Sequence, residues 1–254
     1  MLQSPSEHMR ALAREARFTE VPLADARLTA YSRRSATSPA RVTIYIESDG
    51  APWRLPDEPP ADPTPLKPFV IRMAIADESL ATAYLSRPCQ YLSEAARRDC
   101  DPRLWMQARF SNEAVAVTNQ AVDQIKASVA AATVNLVGYS GGGAMAALVA
   151  ARRRDVDCLV TVAAPLDTTA WTDALGVSRL DLSLNPADVA GELSKVRQTH
   201  FRGLRDKLVP PATADRFFAR AKPAVALIDK PDFDHQCCWS EEWRELSRSS
   251  CLAQ

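Results

Sequence analysis

The chain has 254 residues, with 31 Lys+Arg against 31 Asp+Glu, 46% hydrophobic residues and 24% charged ones, an ordinary globular composition. Zero net charge and the lack of any Lys/Arg-rich block argue against a nucleic-acid or anionic-membrane partner. Glycine is scarce at 8 residues, yet Gly138, Gly141, Gly142 and Gly143 fall within six consecutive positions.

Residues 1–27 read as a short amphipathic helix or arm ahead of a single domain over 28–254. Glu7, Arg10, Arg14, Glu15, Arg17 and Glu20 interrupt the first segment, so no apolar stretch there serves as a signal peptide. The expectation is a cytoplasmic protein, or an exported one if a leader has been removed. Arg41 to Glu47 is β-branched and aromatic and predicts a strand ending at Ser48-Asp49-Gly50. Seven prolines between Pro52 and Pro68 predict a stiff, extended surface loop. Phe69 to Asp77 predicts a helix, Leu80 to Leu85 a strand, and 89–110 a loop. Asn112 to Val129 has apolar residues at helical spacing, and Ala132 to Val137 predicts a strand.

The uncharged run Ala127 to Ala151 is long enough to span a bilayer. The glycine cluster in its middle breaks it instead into a strand, a turn and a buried helix, Ala144 to Arg153. Further on, Leu159 to Ala163, Thr199 to Gly203 and Ala224 to Asp229 predict strands. Thr213 to Ala221 and Trp239 to Arg248 predict helices, whereas 165–197 lacks strong periodicity. Strands alternating with helices imply an α/β fold with a mostly parallel central sheet and helices on both faces. Such sheets place their sites at the carboxyl ends of strands. Among the six cysteines, Cys89 and Cys100 lie eleven apart around a polar loop and are spaced to close a small disulfide ring. Cys158, Cys237, Cys238 and Cys251 read as buried free thiols.

Directly after a predicted strand, Gly138-Tyr139-Ser140-Gly141-Gly142 matches G-x-S-x-G. In so glycine-poor a chain a chance match is rare. The pattern makes Ser140 the candidate nucleophile and points the amide of Gly141 at the same space. A serine nucleophile needs a base, and there are only three histidines. His8 lies in the N-terminal arm and His200 inside a predicted strand, where a structural role fits. His235 follows the last predicted strand and is the candidate base. Asp206, just past a strand on a turn between Gly203 and Pro210, is the candidate acid that fixes the imidazole tautomer. Asp167 is its competitor, and Asp232 and Asp234 read as solvated loop carboxylates.

The order Ser140, Asp206, His235, the G-x-S-x-G elbow, and the turn around Gly203, Asp206, Val209 and Pro210 resemble the α/β-hydrolase superfamily over about residues 28–250. The resemblance implies an eight-stranded type of sheet and a small cap segment at about 165–197. It implies a serine hydrolase of esterase or lipase type, cleaving an ester or thioester of a small-molecule acyl substrate through an acyl-enzyme. No metal and no organic cofactor is expected, and no membrane span. The chain departs from the family at the oxyanion loop. Where family members often have His-Gly, Glu47-Ser48-Asp49-Gly50 stands. By position the Asp49 amide is the expected second oxyanion donor beside Gly141, with the Asp49 carboxylate unhelpful unless it points away.

Two other classes compete. One is an inactive binding protein that keeps the fold. The other is a dinucleotide-binding oxidoreductase, since Gly141, Gly143 and Ala146 also match G-x-G-x-x-A, with Asp167 in place of a ribose-binding acid. A metal site at His235, Cys237 and Cys238 is weaker still, because adjacent cysteines do not easily face one ion. Trp53, Tyr139 and Trp171 are candidates to line a pocket. Nothing in the sequence specifies an oligomeric state.

Overall fold

The computed structural model describes residues 4–50, 60–222 and 225–253. In chain order these form α1 (Pro5–Glu15), β1 (Thr19–Glu20), β2 (Ala30–Arg34), β3 (Arg41–Ile46), α2 (Phe69–Ala76), β4 (Ala81–Leu85) and the short α3 (Glu94–Arg97). There follow α4 (Asn112–Ser128), β5 (Thr133–Tyr139), α5 (Gly141–Ala150), β6 (Val156–Val162), α6 (Thr168–Leu175) and α7 (Pro186–Val189). The chain closes with β7 (Arg197–Gly203), α8 (Asp215–Ala221), β8 (Val225–Lys230) and α9 (Trp243–Arg248).

The strands join one eight-stranded sheet in the order β1-β2-β4-β3-β5-β6-β7-β8. From β4 to β8 the neighbours are parallel, while β2 pairs antiparallel with both β1 and β4. The alternation of side chains along a strand divides the core in two. In β3, Val42, Ile44 and Ile46 face one side, where α4, α5 and α8 pack, and Tyr45 faces the other, under α1, α2 and α9. A strand buried on both faces reads as a continuous apolar run, which is why β3, β5 and β6 are visible in the sequence. Burial of each large aliphatic side chain here contributes about 1.5–3 kcal/mol.

Local chemistry sets the helix starts. Ser111 accepts the Ala114 amide at the head of α4, and Ser4 and Glu7 form a capping box on α1. The first helix is docked on the domain, with Met9 and Ala13 buried against α2. All ten residues of α5 are buried. This helix begins at Gly141 rather than at the expected Ala144, so the glycines form its first turn.

Other differences from the expectations are local. The first two strands, β1 and β2, are hidden in the sequence by their shortness and charge, with Glu20 in β1 and Arg33 and Arg34 at the more exposed end of β2. The stretch 89–110 holds α3 and a 3₁₀ turn at Pro102–Trp105, and 165–197 holds α6, α7 and a 3₁₀ turn at Ala190–Leu193. The final helix starts at Trp243, not Trp239. In the proline segment, 60–68 has no regular element, while 51–59, including Trp53, lie outside the described residues. No helix among the described residues is long and apolar enough to cross a membrane.

The cysteines correct one expectation. Cys89 and Cys100 are bonded, with Cα atoms 6.2 Å apart. The remaining four are not free thiols: Cys158 pairs with Cys251 and Cys237 with its neighbour Cys238. Cys158 and Cys251 meet because the C-terminal turn after α9 folds back onto β6. Their bond spans 93 residues, a loop that the chain-entropy argument values at about 4–5 kcal/mol. A Cys158→Ala/Cys251→Ser variant is expected to melt about 10 °C below the parent in calorimetry. An unchanged melting temperature would contradict a stabilising role for this pair.

Candidate active site

The turn between β5 and α5 is one residue long. Ser140 makes it alone, at φ 53° and ψ −128°. For a non-glycine residue such a conformation costs of order 1–3 kcal/mol and survives only where its surroundings hold it. Two main-chain hydrogen bonds do so: Ser140 N donates to Val162 O at 2.8 Å, and Gly143 N donates to Ser140 O at 2.9 Å. The start of α5 also lies against the end of β3. A Cβ at Gly142 would collide with the carbonyl oxygens of Ile46 and Glu47, so only glycine permits this approach.

The turn lifts the serine hydroxyl to the carboxyl edge of the sheet, where Ser140 Oγ lies 3.1 Å from His235 Nε2. His235 Nδ1 lies 2.8 Å from Asp206 Oδ2. The other carboxylate oxygen, Asp206 Oδ1, accepts the amides of Leu208 at 2.9 Å and Val209 at 2.8 Å. Those two bonds fix the carboxylate plane, and the buried Asp206 has its hydrogen-bonding capacity directed at the imidazole. Tyr139, the residue before the serine, braces His235 directly. Its hydroxyl donates to His235 O at 2.7 Å, and its ring packs 5.3 Å from the imidazole and 4.6 Å from Phe69. Asp234 shapes the loop from the other side by accepting the Gln236 and Cys237 amides.

At the end of β3, Glu47 is completely buried. It accepts hydrogen bonds from Ser48 N at 2.8 Å, Tyr84 Oη at 2.9 Å and Tyr91 Oη at 3.2 Å. Burial raises its carboxyl above the ordinary value against these hydrogen bonds. The Asp49 carboxylate covers Gly141, where a Cβ would strike it, and is paired with Arg87 and Arg109. Burial works to raise the Asp49 carboxyl, but Arg109 and Arg87 outweigh it and hold it below its usual range. The first amides of α5, Gly141 among them, have no acceptor within the helix. Sequence reasoning missed Glu47, Arg87, Arg109 and the bracing role of Tyr139. A carboxylate beside an expected oxyanion is itself a signal that a cation must lie near, although it does not say which arginine.

The other candidates stand elsewhere. Asp167 caps α6 and binds Arg216 and Asn185, so its carboxylate is occupied away from the imidazole and is not free for a ribose. The glycine pattern that suggested a dinucleotide follows the fifth strand, after Ser140 rather than in a first strand–helix unit. Cys237 and Cys238 bond to each other, which removes both thiolates from any ion beside His235. Asp232 pairs with Arg205 at the surface, and His8 lies on α1. The Trp171 indole donates to Leu208 O at 2.8 Å, tying α6 to the loop that carries Asp206. A cleft of about 300 Å³ opens between α6 and α7, and Ser140, Asp206 and His235 do not line it.

No protein-family model matches the chain, and no curated protein matches it by sequence. Solved structures do. Est1E from Butyrivibrio proteoclasticus superposes with a TM-score of 0.64 at 14% identity, covering 93% of this chain and 99% of its own. The Pyrococcus furiosus esterase Pf2001 gives 0.63 at 15% identity, covering 94% and 95%. The acylaminoacyl peptidase of Pyrococcus horikoshii gives 0.60 at 13% identity, covering 92% of this chain and 39% of that one. At these identities the likeness is one of fold.

His200 shows what a structural histidine looks like in the same sheet. Buried in β7, its Nδ1 lies 2.7 Å from Thr161 Oγ1, and burial, with a smaller push from Arg202, lowers its imidazole from 6.5 to about 3. The folded state therefore keeps the neutral form, and the stability this contributes is present above about 6.5 and lost as pH falls toward about 3. Between pH 7 and pH 5 that loss is about 2 kcal/mol. Denaturant unfolding of a His200→Gln variant should show a correspondingly smaller loss over this range, and equal losses in both proteins would contradict the assignment.

Proposed function

Starting from a chain that has the α/β-hydrolase fold, we propose that it is a serine hydrolase cleaving a carboxylic ester or thioester of a small molecule. The observation that carries this reading is the continuous hydrogen-bonded order Ser140 Oγ, His235 Nε2, His235 Nδ1, Asp206 Oδ2, at 3.1 Å and 2.8 Å. In the reaction His235 accepts the Ser140 proton as Oγ attacks the acyl carbonyl. Asp206 holds the imidazole in the tautomer that leaves Nε2 free and stabilises the imidazolium that forms. The tetrahedral oxyanion takes hydrogen bonds from the Gly141 and Asp49 amides, each such donor being worth about 3–4 kcal/mol. The imidazolium then protonates the departing alcohol, and a water activated by the same histidine releases the acid. None of these steps calls on a metal or an organic cofactor. The segment 165–197 acts as a small cap beside the site, anchored through Trp171 on the Asp206 loop.

The reading of an inactive binding protein is disfavoured because all three side chains are in register for proton transfer. Three disulfides support an oxidising compartment, and hence export, over the cytoplasm. A fluorophosphonate probe is expected to label one site per chain, at Ser140. Ser140→Ala should lower kcat on p-nitrophenyl esters by at least about 10³-fold without altering the melting temperature by more than a few degrees. No labelling of folded protein, or esterase activity undiminished in Ser140→Ala, would overturn the proposal.

A further inference from the structure

Asp49 presents a problem of charge. Its carboxylate lies against Gly141, whose amide is one expected oxyanion donor, and its own amide is the other. A carboxylate free to turn toward the carbonyl oxygen would oppose the negative charge that develops there. Two guanidiniums take it up instead. Arg87 Nη1 lies 3.0 Å from Oδ1, and Arg109 Nη1 lies 3.0 Å from Oδ2. The three side chains come from separate loops, after β3, after β4 and before α4.

Each arginine is itself restrained. Arg87 Nη2 donates to Arg109 O, and its guanidinium lies 5.0 Å over the Phe110 ring. Arg109 Nε donates to Met106 O at 2.7 Å. The Arg87 side chain is only 4% exposed, and its Nε is buried with no hydrogen-bond partner among the described residues. Buried ion pairs of this kind are poor sources of net stability, since apolar replacements often do as well. What the arrangement does supply is direction: where the carboxylate packs against Gly141, each of its oxygens is held by a guanidinium donor of fixed geometry.

We propose that Arg87 and Arg109 are positioning residues that hold the Asp49 carboxylate off the carbonyl-oxygen site and thereby present the Asp49 amide beside that of Gly141. This rests on the serine-hydrolase reading. It makes the value of Arg109 depend on the charge it restrains. With Asp49 intact, loss of one guanidinium loosens the carboxylate. With that charge removed, the same loss has little left to disturb.

The test is a double-mutant cycle on kcat and KM for a p-nitrophenyl ester, using Arg109→Gln because Arg109 is the more exposed of the pair. Arg109→Gln is expected to lower kcat about 10–100-fold while KM stays within about threefold, and Arg109→Lys to recover part of the loss. In an Asp49→Asn background, which keeps the backbone amide, adding Arg109→Gln should change kcat by less than about threefold. Fluorophosphonate labelling of Arg109→Gln should still reach one per chain, only more slowly, which separates mispositioning from unfolding. Equal losses in the two backgrounds, a loss confined to KM, or unchanged kcat in Arg109→Gln would overturn the proposal. A parent inert toward esters and fluorophosphonate would overturn the serine-hydrolase reading and this proposal with it, whereas an active parent with additive losses would overturn this proposal alone.

Discussion

Everything at the carboxyl edge of the sheet depends on a single strained residue. Ser140 turns the chain from β5 into α5 at a positive φ, and the structure around it exists to hold that turn. Below, Ser140 N is bonded to β6. Beside it, α5 leans on the carbonyls that end β3, at a separation only a glycine at position 142 allows. Above, Tyr139 reaches across to the main chain of His235. Tyr139 before the serine and Gly142 after it therefore tie the turn to the His235 loop and to the end of β3, respectively. A hydroxyl on a flexible loop would meet His235 only part of the time, whereas this one is held at hydrogen-bond distance.

The electrostatics follow the same geometry. Three carboxylates lie near the serine turn, and each is kept in place by different partners. Asp206 spends one oxygen on two amides and the other on His235. Asp49 is divided between two arginines. Glu47, held above the ordinary carboxyl range by burial, sits under two tyrosine hydroxyls and the Ser48 amide and so stiffens the loop that leads to Asp49. Both carboxylates of the loop proposed to supply an oxyanion donor are thus tied down by partners of their own.

Much of this could be read from residues alone, for reasons that are physical. The fully buried strands β3, β5 and β6 are apolar throughout, and the glycines stand out because the chain has so few. Ser140, His235 and Asp206, chosen by motif, elimination and chain order, are brought together by the structure. What stayed hidden depends on contacts between distant segments. Nothing near Cys158 points to Cys251, since their meeting depends on how the last turn folds back onto β6. Strands β1 and β2 are short and carry Glu20, Arg33 and Arg34, and so lack the pattern that marks a strand. The need for a cation at Asp49 is legible, but Arg87 and Arg109 are two among many basic residues and are selected only by the packing of three loops.

The central claim is that Ser140 is acylated during turnover, and intact-protein mass spectrometry after rapid acid quench tests it most directly. During hydrolysis of p-nitrophenyl butyrate, a fraction of the protein should gain the mass of one butyryl group, located by peptide mapping to Ser140 and gone once substrate is exhausted. Turnover with no acyl group on Ser140, or with the acyl group on another residue, would contradict the account.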